Sequence, residues 1–113
     1  MHEMSIALGI VDIAKKEAEK AKVNSFSAIE LEIGTLAGIE FEALNFVWEP
    51  AVKGTVLEKA KKHIDIIKGK AKCSDCNTEY NINYTHDNCP KCGSFLKIIL
   101  QGKELRVKSL ETF

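Results

Sequence analysis

Two matched cysteine pairs constrain this chain more than any other feature: Cys73-Ser74-Asp75-Cys76 and Cys89-Pro90-Lys91-Cys92, with twelve residues between them. Two-residue spacing lets a tight turn aim both thiolates at one ion while backbone N–H groups donate to the sulfurs, and two such turns complete a tetrahedron. Four thiolates leave no open coordination position, so the expectation is a structural Zn(II) site without an activated water. A redox pair and an iron–sulfur site are the competing readings. A redox C-x-x-C wants a thioredoxin-like setting, which two matched pairs do not provide. Thr78, Tyr80, Ile82 and Tyr84 alternate across a short strand between the pairs, and Gly93 follows the second pair. This is the grammar of a zinc ribbon. Such a knuckle has little apolar surface of its own, so zinc should supply most of its folding free energy, on the order of 10 kcal/mol or more.

The knuckle is expected to span residues 71–94 as an insert in a second body formed by residues 1–70 and 95–113. In that body Ile6, Ile10, Ile13, Ala14, Ala18 and Ala21 recur at three- and four-residue steps. The spacing predicts an amphipathic helix from Met4 to about Lys22, with Ser5 placed to cap it. Phe26 to Ile33 alternates, putting Ile29, Leu31 and Ile33 on one face of a strand. Glu40 to Val52 returns to helical spacing with Phe41, Leu44, Val47, Trp48 and Ala51 apolar, weakened by Pro50 and stopped by Gly54. Thr55 to Lys61 fits a short helical turn or a loop. His63 to Lys72 reads as one strand running into the first cysteine. Phe95–Leu100 and Glu104–Leu110 read as a hairpin joined through Gln101-Gly102-Lys103. The expected fold class is α+β, a small mixed sheet flanked by two helices with the zinc ribbon inserted.

Charge narrows the function. The 113 residues carry 16 basic and 16 acidic side chains, so no overall basic excess points to nucleic acid. Residues 1–50 hold nine acids against four lysines, whereas residues 51–72 hold seven lysines against two acids. No aromatics interleave those lysines, which favours a solvated face or an acidic protein partner over nucleic acid. His63 and His86 read as solvated polar residues. No leader-like segment opens the sequence and no apolar run of about 18 residues occurs, so neither secretion nor a membrane is indicated, and the expectation is a cytoplasmic protein. With no nucleophile–base order, P-loop or Gly-rich dinucleotide turn and a closed metal site, the sequence argues against an enzyme.

The first three residues, Met1-His2-Glu3, offer a second metal site. A free amine at Met1, the His2 amide and the His2 imidazole Nδ1 can close two small chelate rings around one ion, and three nitrogen donors in a plane suit Ni(II) or Cu(II). The competing reading is an exposed histidine with no ligand.

The Met-His-Glu start, the amphipathic helix, the stretch Leu31-Glu32-Ile33-Gly34-Thr35-Leu36-Ala37-Gly38-Ile39-Glu40, the two cysteine pairs and the ending Gly102-Lys103-Glu104-Leu105-Arg106-Val107 together resemble the HypA/HybF family. Its members are nickel metallochaperones of [NiFe]-hydrogenase maturation. The resemblance covers essentially the whole chain. It implies Ni(II), as transported cargo, held by Met1, His2 and Glu3, with the Glu3 backbone amide in the fourth place. It implies zinc held by Cys73, Cys76, Cys89 and Cys92. It further implies a HypB-type GTPase as partner, the hydrogenase large-subunit precursor as recipient, urease as a recipient in some organisms, and a monomer or homodimer. Two other readings stand beside it: a zinc-ribbon module that binds protein or nucleic acid and ignores nickel, and an enzyme.

Overall fold

The computed structural model describes residues 3–113; Met1 and His2 lie outside the described residues. In order, the elements are α1 Glu3–Ala21, β1 Ala28–Gly34, α2 Phe41–Val52, β2 Lys61–Ile67, β3 Lys70–Cys73, β4 Glu79–Asn81, β5 Lys97–Gln101 and β6 Leu105–Glu111. The chain is α+β with two helices, as its periodicities predict. Its strands, however, make two three-stranded sheets rather than one, ordered β2-β1-β6 and β4-β3-β5.

The chain divides into two compact units, the first formed by Met1–Leu31, Ile39–Ile64 and Val107–Phe113, the second by Glu32–Gly38 and Asp65–Arg106. In the first, α1 packs on α2, and α1 buries a stripe of Ala7, Ile10, Ala14 and Ala18. Three of these four are alanines, which let two helix backbones approach closely. Ile13, expected on the core face, is instead 48% exposed and falls beside the buried stripe at steps of three and four. α2 answers with Leu44, Trp48, Ala51 and Val52. Pro50 sits inside α2, close enough to its end that the helix closes at Val52 without a longer break.

Gly54 then adopts φ +76°. The Thr55 hydroxyl donates to the Val52 carbonyl at 2.6 Å and accepts the Leu57 N–H at 3.2 Å. This side chain therefore builds a turn where the sequence left helix and loop equally open. In β1, Ile29, Leu31 and Ile33 are fully buried, as the alternation predicts. Each contributes about 1.5–3 kcal/mol by leaving water.

Two strand readings are corrected. The single strand over His63–Lys72 breaks at Lys68-Gly69, and its halves join different sheets as β2 and β3. The hairpin through Gln101-Gly102-Lys103 does not form either, because β5 pairs with β3 whereas β6 pairs with β1. The reason is local. In the second unit the Leu36 N–H donates to the Gly102 carbonyl at 2.7 Å, the Thr35 N–H to the Ile67 carbonyl at 2.9 Å, and the Gly34 N–H to the Glu104 carbonyl at 2.8 Å. The connection after β1 thus occupies the hydrogen-bonding groups that a hairpin or a continuous strand would use. A Cβ on Gly34 would lie 1.8 Å from the Gly102 oxygen, and Gly102 itself is at φ +119°. Only glycine fits this crossing at either position.

Candidate metal centre

The cysteine pairs are set by two turns that repeat one hydrogen-bond pattern. In the first, the Cys73 N–H donates to the Thr78 carbonyl at 2.8 Å and the Asn77 N–H to the Cys73 carbonyl at 3.0 Å. In the second, the Cys89 N–H donates to the Ser94 carbonyl at 2.8 Å and the Gly93 N–H to the Cys89 carbonyl at 2.8 Å. Each turn places a left-handed residue just after its second cysteine, Asn77 at φ 64° and Gly93 at φ +80°. Asparagine and glycine are the residues that tolerate that conformation. The repeat is written in the sequence as Asn77-Thr78 against Gly93-Ser94.

β3 delivers Cys73 at its last residue and pairs with β4, Ala71 opposite Tyr80, and with β5, Cys73 opposite Lys97. Ala71, Cys73, Tyr80, Ile82 and Cys89 form a small core with Leu36, Cys76 and Ile99 packed against it. Cys73 and Cys89 are thereby buried, Cys76 is half-buried and Cys92 is exposed. The four sulfurs all lie within 4.8 Å of one another, with Cys73 and Cys92 at 3.5 Å and Cys76 and Cys89 at 3.7 Å. A Zn–S bond of about 2.3 Å in a tetrahedron requires an S–S edge of about 3.8 Å. The donor set and its spacing therefore fit one tetrahedral soft or borderline ion.

Electrostatics lead to the same requirement. Hydrogen bonds from the Thr78 hydroxyl and the Thr78 N–H favour the Cys76 thiolate and lower its pKa to about 6; the two side chains lie 3.2 Å apart. For Cys92 the Ser94 N–H is the largest influence and favours the thiolate. The hydrogen bond with Cys73, burial, and the bonds with Cys76 and Cys89 outweigh it, and the thiol is pushed up to about 12. Four sulfurs this close do not ionise together without a cation among them. The Lys91 N–H adds a donor to Cys89 Sγ at 3.4 Å, the backbone-to-sulfur contact expected of such a turn. Tyr80 stands against the cluster, and burial first, then the charges of Cys73, Cys89 and Cys92, raise its pKa. Ahead of Cys89, the Asp87 carboxylate accepts the Asn83 N–H at 2.8 Å and the Tyr84 N–H at 3.2 Å, which lowers its pKa. His86 stacks on Tyr84, ring centroids 5.3 Å apart, and is not in the sulfur cluster.

Of the N-terminal trio, Glu3 alone lies within the described residues. It is the first residue of α1, and its Oε2 accepts the Glu40 N–H at 3.2 Å. Met1 and His2 fall outside the described residues. The alternation between the cysteine pairs includes Thr78 but not its role as a donor to Cys76, and nothing in the sequence pattern links Glu3 to Glu40. That role is signalled only by a hydroxyl two residues beyond Cys76.

The chain matches, over residues 1–112, the family model described as "Hydrogenase/urease nickel incorporation, metallochaperone, hypA". It is 46% identical over 110 residues to the hydrogenase maturation factor HypA of Parabacteroides distasonis, covering 97% of this chain and 96% of that protein. It is 44% identical over 111 residues to the factor of the same name from Azotobacter vinelandii, covering 98% of each. The solution structure of the Ni metallochaperone HypA from Helicobacter pylori superposes with a TM-score of 0.69 at 26% identity, over 99% of this chain and 97% of that one. A second solution structure of a HypA protein gives a TM-score of 0.70 at 25% identity. With the family model matched over nearly its whole length, this chain belongs to the HypA family of nickel-incorporation metallochaperones.

Proposed function

We propose that this chain carries Ni(II) at Met1-His2-Glu3 and delivers it to a [NiFe]-hydrogenase large-subunit precursor, working with a HypB-type GTPase in the cytoplasm as a carrier rather than a catalyst. The observation that carries the reading is the match to the nickel-incorporation family from residue 1, which takes in the Met-His-Glu start. The donors are then the Met1 amine, the His2 amide and imidazole, and the Glu3 amide, a planar set suited to Ni(II).

The four cysteines take zinc in this reading, and the ion supplies shape to β3, β4 and the two turns. The two sites suit opposite tasks. Four enclosing thiolates hold an ion, whereas a terminal site of a few residues can pass one on by ligand exchange. Titrating nickel into tag-free protein tests the assignment, with His2→Ala alongside. The expected result is loss of tight nickel binding in His2→Ala with zinc unchanged at one ion per chain, and equal nickel affinity in both proteins overturns the assignment.

A further inference from the structure

α2 begins at Phe41 after an extended residue, Glu40, at φ −83° and ψ 107°. Residues in that N-cap place ordinarily use their own side chain to satisfy the first amides of the helix. Glu40 makes no such hydrogen bond. What meets the start of α2 instead is a carboxylate 37 residues earlier in the chain, since Glu3 Oε2 accepts the Glu40 N–H at 3.2 Å. A negative group at that point also faces the positive end of the α2 dipole.

We propose that the Glu3 side chain is a latch between the start of α1 and the start of α2, and that it positions the N-terminal nickel-binding residues instead of ligating nickel itself. The proposal rests on the nickel-carrier reading for its consequence, though not for the contact. Glu3 then has two separable roles: its backbone amide is a ligand, and its carboxylate fixes where that amide stands. The residue next to the latch carries the imidazole, so the latch limits the conformations that the three-residue chelate loses when nickel binds. Preorganisation of this kind raises affinity without adding a ligand. Coupling of the two is reciprocal, so nickel loading in turn holds the latch closed.

The experiment uses full-length, tag-free, zinc-loaded protein and three variants, Glu3→Ala, Glu3→Gln and His2→Ala. Three quantities are read: hydrogen exchange and the chemical shift of the Glu40 amide before nickel is added, nickel affinity, and the visible absorption band of the nickel complex. In Glu3→Ala the Glu40 amide should exchange about fivefold faster, the scale of a lost cap. Nickel should bind about three- to tenfold more weakly, with the absorption band in its wild-type place. Glu3→Gln keeps an acceptor oxygen and should restore most of both. His2→Ala should leave the Glu40 amide as it is.

An unchanged Glu40 amide in Glu3→Ala overturns the latch. A shifted absorption band in Glu3→Ala overturns it too, because the carboxylate is then a ligand, as does a Glu3→Gln variant that loses nickel as fully as Glu3→Ala. Equal nickel affinity in wild type and His2→Ala removes the carrier reading instead, and the Glu40 amide still decides the latch by itself.

Discussion

Single residues decide more here than their size suggests. Hydrogen bonds from the Thr78 hydroxyl first, then from its N–H and from Cys73 and Cys89, lower the Cys76 pKa to about 6, and a metal ion competes with protons for that sulfur. Removing the hydroxyl raises the thiol pKa, so protons displace zinc at a higher pH. Thr78→Val should therefore shift the pH midpoint of zinc release upward, read by a chromogenic chelator between pH 4 and 7, while zinc stoichiometry at pH 8 stays at one. The sign follows from the depressed pKa: thiolate is favoured above about 6 and lost below it. Gly34 is decided by space rather than charge. A methyl group there would overlap the Gly102 carbonyl, which is backbone and cannot rotate aside. Gly34→Ala should cost more than the 1–3 kcal/mol usual for overpacking, visible as a large fall in Tm or as insoluble protein.

At the level of elements, the two cysteine turns share one construction, and Asn77 carries the left-handed conformation that Gly93 carries in the other. A β-branched residue in that conformation costs roughly 1–2 kcal/mol. Asn77→Val should weaken zinc by about tenfold, since 1.4 kcal/mol is a factor of ten, whereas Asn77→Gly should bind within about twofold of wild type; competition with a chelator of known affinity measures both. What the sequence reveals at this scale depends on how local the cause is. Helix spacing over residues 4–22 and alternation in Ile29, Leu31 and Ile33 are properties of adjacent residues, and α1 and β1 were legible for that reason. The cysteine grouping was legible because two-residue spacing is itself the geometry of a ligand turn. The fates of His63–Lys72 and of Gln101-Gly102-Lys103 were not. Both turn on the segment after Gly34, which bonds to Ile67, Gly102 and Glu104, and no pattern within either stretch encodes that distant neighbour. Ile13 lies off the buried stripe of α1, and apolar spacing alone does not separate it from its neighbour Ala14. The Glu3–Glu40 contact spans 37 residues and is equally invisible to periodicity.

For the whole molecule, the two compact units differ in what holds them. The first is held by ordinary burial, of Ala7, Ile10, Ala14 and Ala18 on α1 and of Leu44 and Trp48 on α2. The second is built round a small cluster of Ala71, Cys73, Tyr80, Ile82 and Cys89, two of them cysteines. Its folding free energy should therefore come largely from the ion, on the order of 10 kcal/mol for a structural zinc, and that stabilisation disappears with the metal. Removing zinc cancels the constraint that aligns the two turns. A strong chelator at neutral pH should thus abolish hydrogen-exchange protection in β3 and β4, around Ala71 and Tyr80, while α1 amides at Ile10 to Ala18 keep theirs. Restoring one equivalent of zinc should return the lost protection. Loss of α1 protection on the same timescale would instead mean that the chain unfolds as one cooperative body, with the helix pair drawing its stability from the sulfur site.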